Sequence, residues 1–290
     1  MSLSFVAFAS CEDKEEPVNN ENTQTEDSNG GNGSNTGSNG DNSGNTSGDS
    51  NGNVSAVSVF KSGTQDGHDY VDLGLTSGTM WATANVGAKT PQDYGNYYAW
   101  GEVTTKEVYN WETYKYANGD YNKLTKYCND SKYGKNGFTD DKKTLELSDD
   151  AAKTSWGGKW RIPTFDQQKE LYNECYWVWT ESYNNSNVKG YIVYKAKVSS
   201  DKGVKIYNSK TPSSSYSLSD AHIFMPAAGY RPYGDLYDAG SSGFYWSSSM
   251  LSNPLDAQGI YFGSGDIRCG VYNGSSVERS FGRSVRAVIS

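Results

Sequence analysis

Residues 19–53 form an uninterrupted run of Asn, Gly, Ser, Thr, Asp, Glu and Gln. Without aliphatic or aromatic side chains, the run cannot bury a core that would offset an ordering entropy of roughly 1–2 kcal/mol per residue. The sequence therefore predicts a disordered tether over residues 12–54 and confines the folded domain to residues 55–290. A Gly-rich coil of about 40 residues would hold its ends on the order of 35 Å apart.

Charge divides the chain at the same place. Residues 1–54 contain nine of the 34 acidic residues and one of the 26 basic residues, which leaves 25 residues of each sign in the remainder. A neutral domain offers no surface that follows a phosphate backbone, which argues against nucleic acid as the main partner. All 23 Tyr and all 8 Trp also lie beyond residue 54, where they can supply a core.

The chain begins with a short apolar stretch, residues 3–9, that runs into Phe8-Ala9-Ser10-Cys11. A membrane span needs about 20 residues, so this stretch is too short to be one. It resembles the end of a bacterial lipoprotein signal, which would make residues 1–11 a signal remnant and Cys11 the acylated first residue. The acids that follow resemble the export signal of Bacteroidetes-type surface lipoproteins. The resemblance implies a protein lipid-anchored in the outer membrane and facing the cell exterior; a disordered acidic start with a chance cysteine is the alternative.

Two short helices are predicted in the folded part. Ser148 is a suitable N-cap for the first, acids in the first turn face the helix dipole, and Gly157 can end the helix. Thr164 and Gln167 form a capping box that begins the second.

Strands dominate the rest of the domain. Residues 191–198 alternate, with apolar side chains on one face and Lys195 and Lys197 on the other, which predicts a half-buried strand. Other strand candidates are residues 70–75, 97–101, 222–227, 244–248, 259–262 and 284–289. Many short strands and two helices predict an α+β fold with mixed, mostly antiparallel sheets, preceded by a disordered linker.

Six segments of the chain together carry a family resemblance. They are YVDLGLTSGTMWATANVGA (70–88), YGNYYAWGEV (94–103), WGGKWRIPTFDQQKEL (156–171), IFMPAAGYR (223–231), GFYWSSS (243–249) and RSFGRSVRAV (279–288). In this order they resemble the Fibrobacter succinogenes major paralogous domain over roughly residues 60–290. The resemblance implies a C-type-lectin-like fold, whose first and last strands pair and whose long loops form the ligand face. Ala287 stands where the family usually has proline.

Neither a metal ion nor a cofactor is predicted. The calcium-binding signatures of C-type lectins, Glu-Pro-Asn or Gln-Pro-Asp with Trp-Asn-Asp, are absent from the sequence. The segment Asn253-Pro254-Leu255-Asp256 comes nearest, but it offers two oxygen ligands where calcium takes six to eight. A plain proline turn explains it better.

The sequence also lacks a convincing set of catalytic residues, so it predicts a protein that is not an enzyme. Two histidines, His68 and His222, cannot form a three-His metal site, and His222 enters an apolar strand. The serines at 247–249 lack a G-x-S-x-G elbow. The paired acids at 140–141 and 149–150 point in different directions on any element, and helix capping explains the second pair.

Three cysteines remain beyond Cys11: Cys128, Cys175 and Cys269. Their spacing is not that of a metal site, and at most one disulfide could join them. Cys175 follows an apolar helical pattern and is predicted to be a buried free thiol. Formylglycine-generating enzymes share the lectin-like fold class, but these cysteines do not match their pattern.

The segment from Tyr230 to Tyr272 has the composition of a binding surface, because tyrosines alternate there with Ser, Gly, Asn and Asp. Tyr230, Tyr245 and Tyr261 are also explained as core residues. The loop-like pieces 232–238, 250–256 and 263–276 are better candidates. The predicted ligand-binding residues are Tyr233, Tyr237, Met250, Leu251, Asn253, Asp256, Asp266, Arg268, Tyr272 and Asn273.

The sequence as a whole thus predicts a lipid-anchored cell-surface protein that binds a glycan or a protein ligand through its C-terminal loops. Residues 246–276 also match the place of the variable segment in C-type-lectin-like proteins diversified by retroelements, in which case Met250 and Gln258 would be fixed. The alternative is a structural protein, such as a tip or accessory subunit of a surface assembly, whose aromatic face packs permanently against a partner.

Overall fold

The computed structural model describes residues 59–270 and 277–290. Residues 1–58, which include Cys11 and the predicted tether, and the predicted site residues Tyr272 and Asn273 lie outside this part. Fifteen strands and two short α-helices form the described part, and most strand pairs are antiparallel, with three parallel pairs. The described part is mostly β-sheet with few short helices, as in an α+β or a mainly-β fold, and the prediction of mixed, mostly antiparallel sheets is confirmed. Within the described residues, no helix has the length and apolar character to cross a membrane.

A four-stranded sheet joins the two ends of the described domain. Its strands are β1 (Gly63–Gln65), β2 (His68–Asp72), β3 (Met80–Ala82) and β15 (Val288–Ile289), in the order β1-β2-β3-β15. Asp66 and Gly67 connect β1 to β2 with φ angles of 48° and 81°, as a two-residue Asp-Gly hairpin turn requires. The last strand pairs with β3, where Val288 faces Trp81.

The two predicted helices are present, and one begins later than expected. Helix α1 spans Ala151–Trp156 and is capped by Asp150, whose carboxylate accepts a hydrogen bond from Lys153 N at 3.0 Å. The N-cap prediction for Ser148 was wrong, because Ser148 lies inside a 3₁₀ turn, Leu147–Asp149. Gly157 ends α1 as predicted.

Helix α2 spans Phe165–Glu174 and has the predicted capping box. The Thr164 side chain accepts from Gln167 N, and the Gln167 side chain accepts from Thr164 N at 3.0 Å. Leu171 is its fully buried apolar residue.

A second four-stranded sheet follows α2. Its strands are β5 (Cys175–Thr180), β6 (Gly190–Lys195), β7 (Lys205–Ile206) and β8 (His222–Pro226), in the order β7-β5-β6-β8. The half-buried prediction for residues 191–198 was wrong. Strand β6 is central, with Tyr191 in one apolar cluster and Ile192 in another, so both of its faces are buried. The strand ends at Lys195, and Val198 lies beyond it, exposed.

The third sheet has seven strands and carries the candidate site. They are β4 (Tyr97–Tyr98), β9 (Ala228–Tyr230), β10 (Tyr237–Ala239), β11 (Ser242–Met250), β12 (Ala257–Gly263), β13 (Asp266–Gly270) and β14 (Arg283–Ser284). The main path runs β10-β9-β11-β12-β13, with β14 paired to both β11 and β4. Strands β10 and β13 therefore form opposite edges of this path.

A long irregular segment, residues 99–150, is held together by tyrosine hydroxyl groups. Tyr109 Oη donates to Tyr97 O at 2.6 Å, and Tyr114 Oη donates to Trp100 O at 2.7 Å. Irregular backbone leaves carbonyl oxygens without ladder partners, and a buried tyrosine fills space while satisfying one of them. This use accounts for part of the high tyrosine content.

The C-terminal motif RSFGRSVRAV places three buried arginines in the core. Arg286 donates to Asn85 Oδ1 at 2.9 Å and to Phe224 O at 2.8 Å, which ties β8 to the loop after β3. The Arg283 guanidinium lies 4.3 Å from the centre of the Trp246 ring. The motif is thus a structural element of the described fold.

Candidate ligand-binding surface

The turn between β9 and β10 presents large apolar side chains to solvent. Tyr233 is 61% exposed, Tyr237 is 47% exposed and Leu236 is 38% exposed. The turn follows a close backbone approach at Gly229, where a Cβ would lie 2.1 Å from Tyr237 O and φ is +65°. A larger residue at that position would push the two strands apart.

Tyr233 is fixed by a distant part of the chain. Its N–H donates to Tyr109 O at 2.8 Å and its carbonyl accepts from Tyr109 N at 2.6 Å. Val108, 39% exposed, precedes Tyr109 in the chain. Beneath the turn, the centre of the Phe281 ring lies 6.1 Å from that of Tyr233. We call Val108, Tyr233, Leu236 and Tyr237 the hairpin surface.

This concentration of apolar side chains is unusual for the molecule. Seven large apolar side chains are exposed in the described part, and four of them form the hairpin surface. Single exposed apolar residues need no explanation, whereas neighbouring ones typically mark an interaction site. The hairpin surface is therefore the strongest candidate for a ligand contact.

A cleft adjoins the hairpin surface. Its volume is about 340 Å³. Its lining consists of Gly95, Asn96, Tyr97, Thr105, Lys106, Glu107, Tyr109 and Arg231. We call it the Arg231 cleft. Two contacts link the cleft to the turn that carries the hairpin surface: Tyr109 of the lining pairs with Tyr233 through the backbone, and Arg231 donates to Gly234 O.

The charges in the cleft are unevenly paired. Lys106 Nζ lies 2.9 Å from Glu102 Oε1, which neutralises that lysine. The Arg231 guanidinium lies 5.2 Å from the centre of the Tyr97 ring and donates to Gly234 O at 3.2 Å. No ion pair to Arg231 is present among the described residues. Burial raises the pKa of Tyr97 far above its usual value, which keeps this hydroxyl neutral beside the guanidinium.

The other predicted site residues lie elsewhere, and two of them are buried. Met250 is 5% exposed, with Sδ 3.6 Å from Arg279 Nη1. Asp256 is buried and accepts from Asn253 Nδ2 at 2.7 Å. Leu251 packs partly against the core, whereas Asn253 is exposed. Burial removes Met250 and Asp256 from any surface that a ligand could reach in this conformation.

Asp266 and Arg268 form an exposed ion pair on β13, with Asp266 Oδ2 2.9 Å from Arg268 Nε. Because β13 and β10 are opposite edges of the sheet, this pair is separated from Tyr237 by three strands. The structure therefore brings Tyr233 and Tyr237 together and places the remaining described candidates apart from them.

The sequence predicted neither Val108 and Leu236 of the hairpin surface nor any lining residue of the cleft, including Arg231 and Glu107. Leu236 had a sequence signal, because a lone apolar residue in a Pro-Gly-Asp turn has no core to enter. Arg231 ends the motif IFMPAAGYR, and nothing in its local sequence distinguishes a binding arginine from a structural one. The positions of Val108 and Glu107 depend on the pairing of Tyr109 with Tyr233, which the sequence does not reveal.

The residues considered for catalysis make structural contacts. His222 Nε2 lies 2.8 Å from Tyr183 Oη, and burial lowers the pKa of this histidine. His68 stacks on Trp156 with ring centres 3.9 Å apart. Ser247 Oγ donates to Gln258 O at 2.9 Å. In the described ranges, no three His, Cys, Asp or Glu side chains gather as a metal site.

The three described cysteines are free thiols. Cys128 and Cys175 are buried and Cys269 is half-buried, so the prediction of a buried free thiol at Cys175 is confirmed. Burial raises the pKa of Cys269 to about 12. A thiol with a raised pKa is a poor nucleophile, since the thiolate is the reactive form.

Comparison with known proteins adds no relative. No family model, no curated protein and no solved structure matches the chain.

Proposed function

We propose that this chain is a lipid-anchored cell-surface protein that binds a glycan or a protein ligand through the hairpin surface. The observation that carries the proposal is the exposure of Tyr233, Leu236 and Tyr237 on one short turn, in a domain whose other tyrosines are mostly buried. Tyrosine provides large contact area at low cost in conformational entropy, which is why binding loops use it.

We also propose a C-type-lectin-like fold for the domain. Three features support it: the six motifs in family order, the pairing of the C-terminal strand β15 with β3 near the start of the domain, and the long irregular segment at residues 99–150. In the family such segments form the ligand face, and here Tyr109 of that segment fixes Tyr233.

The binding proposal is tested by changing Tyr233 and Tyr237 to Ala together and screening the protein against a glycan array and surface extracts. We expect binding to weaken by about tenfold or more, because truncating two exposed aromatic anchors removes contact area that only the complex buries. The matched control is Tyr121→Ala, which removes a tyrosine that is also 47% exposed but lies outside the hairpin surface.

Both variants should retain the melting temperature of the parent, since the truncated rings face solvent. Unchanged binding by the double variant, or an equal loss in the Tyr121 variant, would contradict the proposal.

The alternative function is that of a structural subunit in a surface assembly. It is favoured by Leu236 and Val108, since aliphatic side chains on the same surface as the tyrosines suit a permanent interface better than a hydrated sugar. Salt-resistant co-purification with one stoichiometric partner would support this function over reversible binding.

Retroelement diversification remains a more specific form of the binding proposal. Within the described part of residues 246–276, the exposed positions are few: Ser252, Asn253, Gly265 and Arg268. A near-identical template repeat beside a reverse-transcriptase gene in the encoding DNA would support diversification. A locus that lacks both the repeat and the reverse-transcriptase gene would contradict it.

A further inference from the structure

The Arg231 guanidinium is held in place before any ligand arrives. Gly234 O accepts one of its hydrogen bonds, and the Tyr97 ring lies beneath it. Arginine has five N–H donors in a planar fork, so most of this donor set is left for another acceptor. A fixed fork loses little entropy on binding, which favours recognition of a planar anion.

Charge in the cleft favours an acidic group over a neutral one. Lys106 is paired with Glu102, which lies outside the lining. The acid within the lining, Glu107, is exposed and forms no ion pair with Arg231 among the described residues. The guanidinium is therefore an unpaired cation within the described part of the cleft. A carboxylate is the anion that matches its geometry and charge.

The remaining lining suits a hydroxylated ligand. Asn96 and Thr105 are exposed and supply an amide and a hydroxyl group beside Arg231. The volume of about 340 Å³ lies at the small end of the ligand-site range of roughly 300–1,000 Å³. Tyr233 precedes Gly234, whose carbonyl accepts from Arg231. Tyr237 is paired in the sheet with Tyr230, the neighbour of Arg231 in the chain. Both tyrosines are exposed, so their rings are available for packing against the apolar face of a sugar.

We propose that the Arg231 cleft and the hairpin surface together bind an acidic saccharide. The sugar carboxylate pairs with Arg231, and neighbouring sugar rings pack on Tyr233 and Tyr237. This inference rests on the proposed binding function and deepens it by naming the ligand class. An acidic peptide is the competing ligand, and the test includes it.

The test uses the full chain on an array of saccharides that carry hexuronic or sialic acid, each printed beside its carboxyl-reduced counterpart, with acidic peptides as a third set. We expect carboxylated members to bind about tenfold or more tightly than their reduced counterparts, because reduction removes the charge-assisted pair. Binding of the carboxylated members should also weaken as salt is raised.

Three variants test the separate roles of the two charged residues, Arg231 and Glu107, that line the cleft without an ion pair in the part of the chain that the structure describes. Arg231→Gln should remove the preference for the carboxylated member of each pair, and Arg231→Lys should restore only part of it, since lysine lacks the planar fork. Glu107→Gln should strengthen binding of acidic members about two- to threefold, because it removes a neighbouring negative charge. A neutral sugar that uses Glu107 as an acceptor would bind that variant more weakly.

The outcomes also distinguish a wrong ligand class, the acidic saccharide, from a wrong binding function. Equal binding of carboxylated and reduced sugars, with dependence on Tyr233 and Tyr237, would overturn the acidic ligand and leave the binding function standing. Preference for acidic peptides would overturn the saccharide. Failure to bind any member of the array overturns the acidic saccharide, and failure in surface extracts as well would overturn the binding function.

If Arg231→Gln lowers the melting temperature, the salt dependence and the carboxyl-reduction comparison on the parent protein still decide the question.

Discussion

At the scale of single residues, Asp149 shows how this fold uses a buried charge. Lys126 Nζ lies 2.5 Å from one carboxylate oxygen of Asp149, and Tyr127 Oη donates to the same oxygen at 2.7 Å. Burial alone would raise the pKa of Asp149, but these hydrogen bonds outweigh it and lower the pKa to about 2. Asp149 thereby ties Lys126 and Tyr127 to the 3₁₀ turn before α1, within the irregular segment.

Asp149→Asn should lower the free energy of unfolding at pH 7 by about 2 kcal/mol. The loss is modest because Lys126 is partly exposed and is hydrated again once its carboxylate partner is removed. Urea unfolding at pH 7 measures the change.

The pH dependence has a definite sign. The pKa of Asp149 in the folded protein is below its ordinary value of 3.8, so its contribution is present above that value and is lost as the pH falls toward about 2. The Asn variant should lose that part of the acid sensitivity between these two pH values. Glu146→Gln is the control, because Glu146 pairs with the same lysine but is exposed, and its change should be far smaller. An equal effect of the two variants would contradict this account.

At the scale of secondary-structure elements, the start of α1 provides a direct comparison of two caps. Asp150 accepts hydrogen bonds from Lys153 N at 3.0 Å and from Ile162 N at 2.8 Å. Asp150→Ala should cost about 2–3 kcal/mol, because it leaves two backbone N–H groups without their acceptor. Ser148→Ala should change stability by less than about 0.5 kcal/mol. Thermal unfolding of the two variants measures the difference, and a larger effect at Ser148 would show that the helix begins there.

The elements that could be predicted are those whose signal is local. Thr164 and Gln167 are three residues apart and cap α2 as the sequence indicates. The environment of β6 could not be predicted, because its second buried face depends on β5 and β8, which flank it in the sheet, and on the apolar clusters packed over both faces. Alternating apolar and polar residues identify a half-buried strand only where one face of that strand is exposed to water.

In the candidate site, too, local sequence indicates the environment of some residues and not of others. Tyr233 and Tyr237 lie in a turn rich in Pro, Gly and Asp, and this local composition already indicates exposure. Met250 has a similar sequence neighbourhood but is buried, since its N–H donates to Lys143 O at 2.8 Å and its sulfur lies beside Arg279. Both partners come from distant parts of the chain, so no local pattern could reveal them.

At the scale of the whole molecule, the proposed anchor makes a prediction that is independent of the ligand. In cells that express the protein from its native locus, a surface protease should degrade the parent, and the parent should partition into detergent and take up labelled fatty acid. Cys11→Ala should abolish the label and the partitioning, because several acyl chains at about 0.8 kcal/mol per buried methylene supply the membrane affinity.

Cys269→Ala is the matched control for loss of a cysteine and should leave labelling unchanged, since Cys269 belongs to the folded domain. Continued labelling of the Cys11 variant would contradict the proposed anchor. It would not affect the proposal that the hairpin surface binds a ligand.

The sheet β1-β2-β3-β15 has a consequence for how such a domain can spread among proteins. Its first and last strands share one layer and are three strand spacings apart, which is about 15 Å. A gene segment that encodes this domain can therefore be duplicated in tandem, or inserted into a surface loop of an unrelated host, with connectors of only a few residues. The β9–β10 turn belongs to a different sheet, so such an insertion would leave the proposed binding surface unchanged.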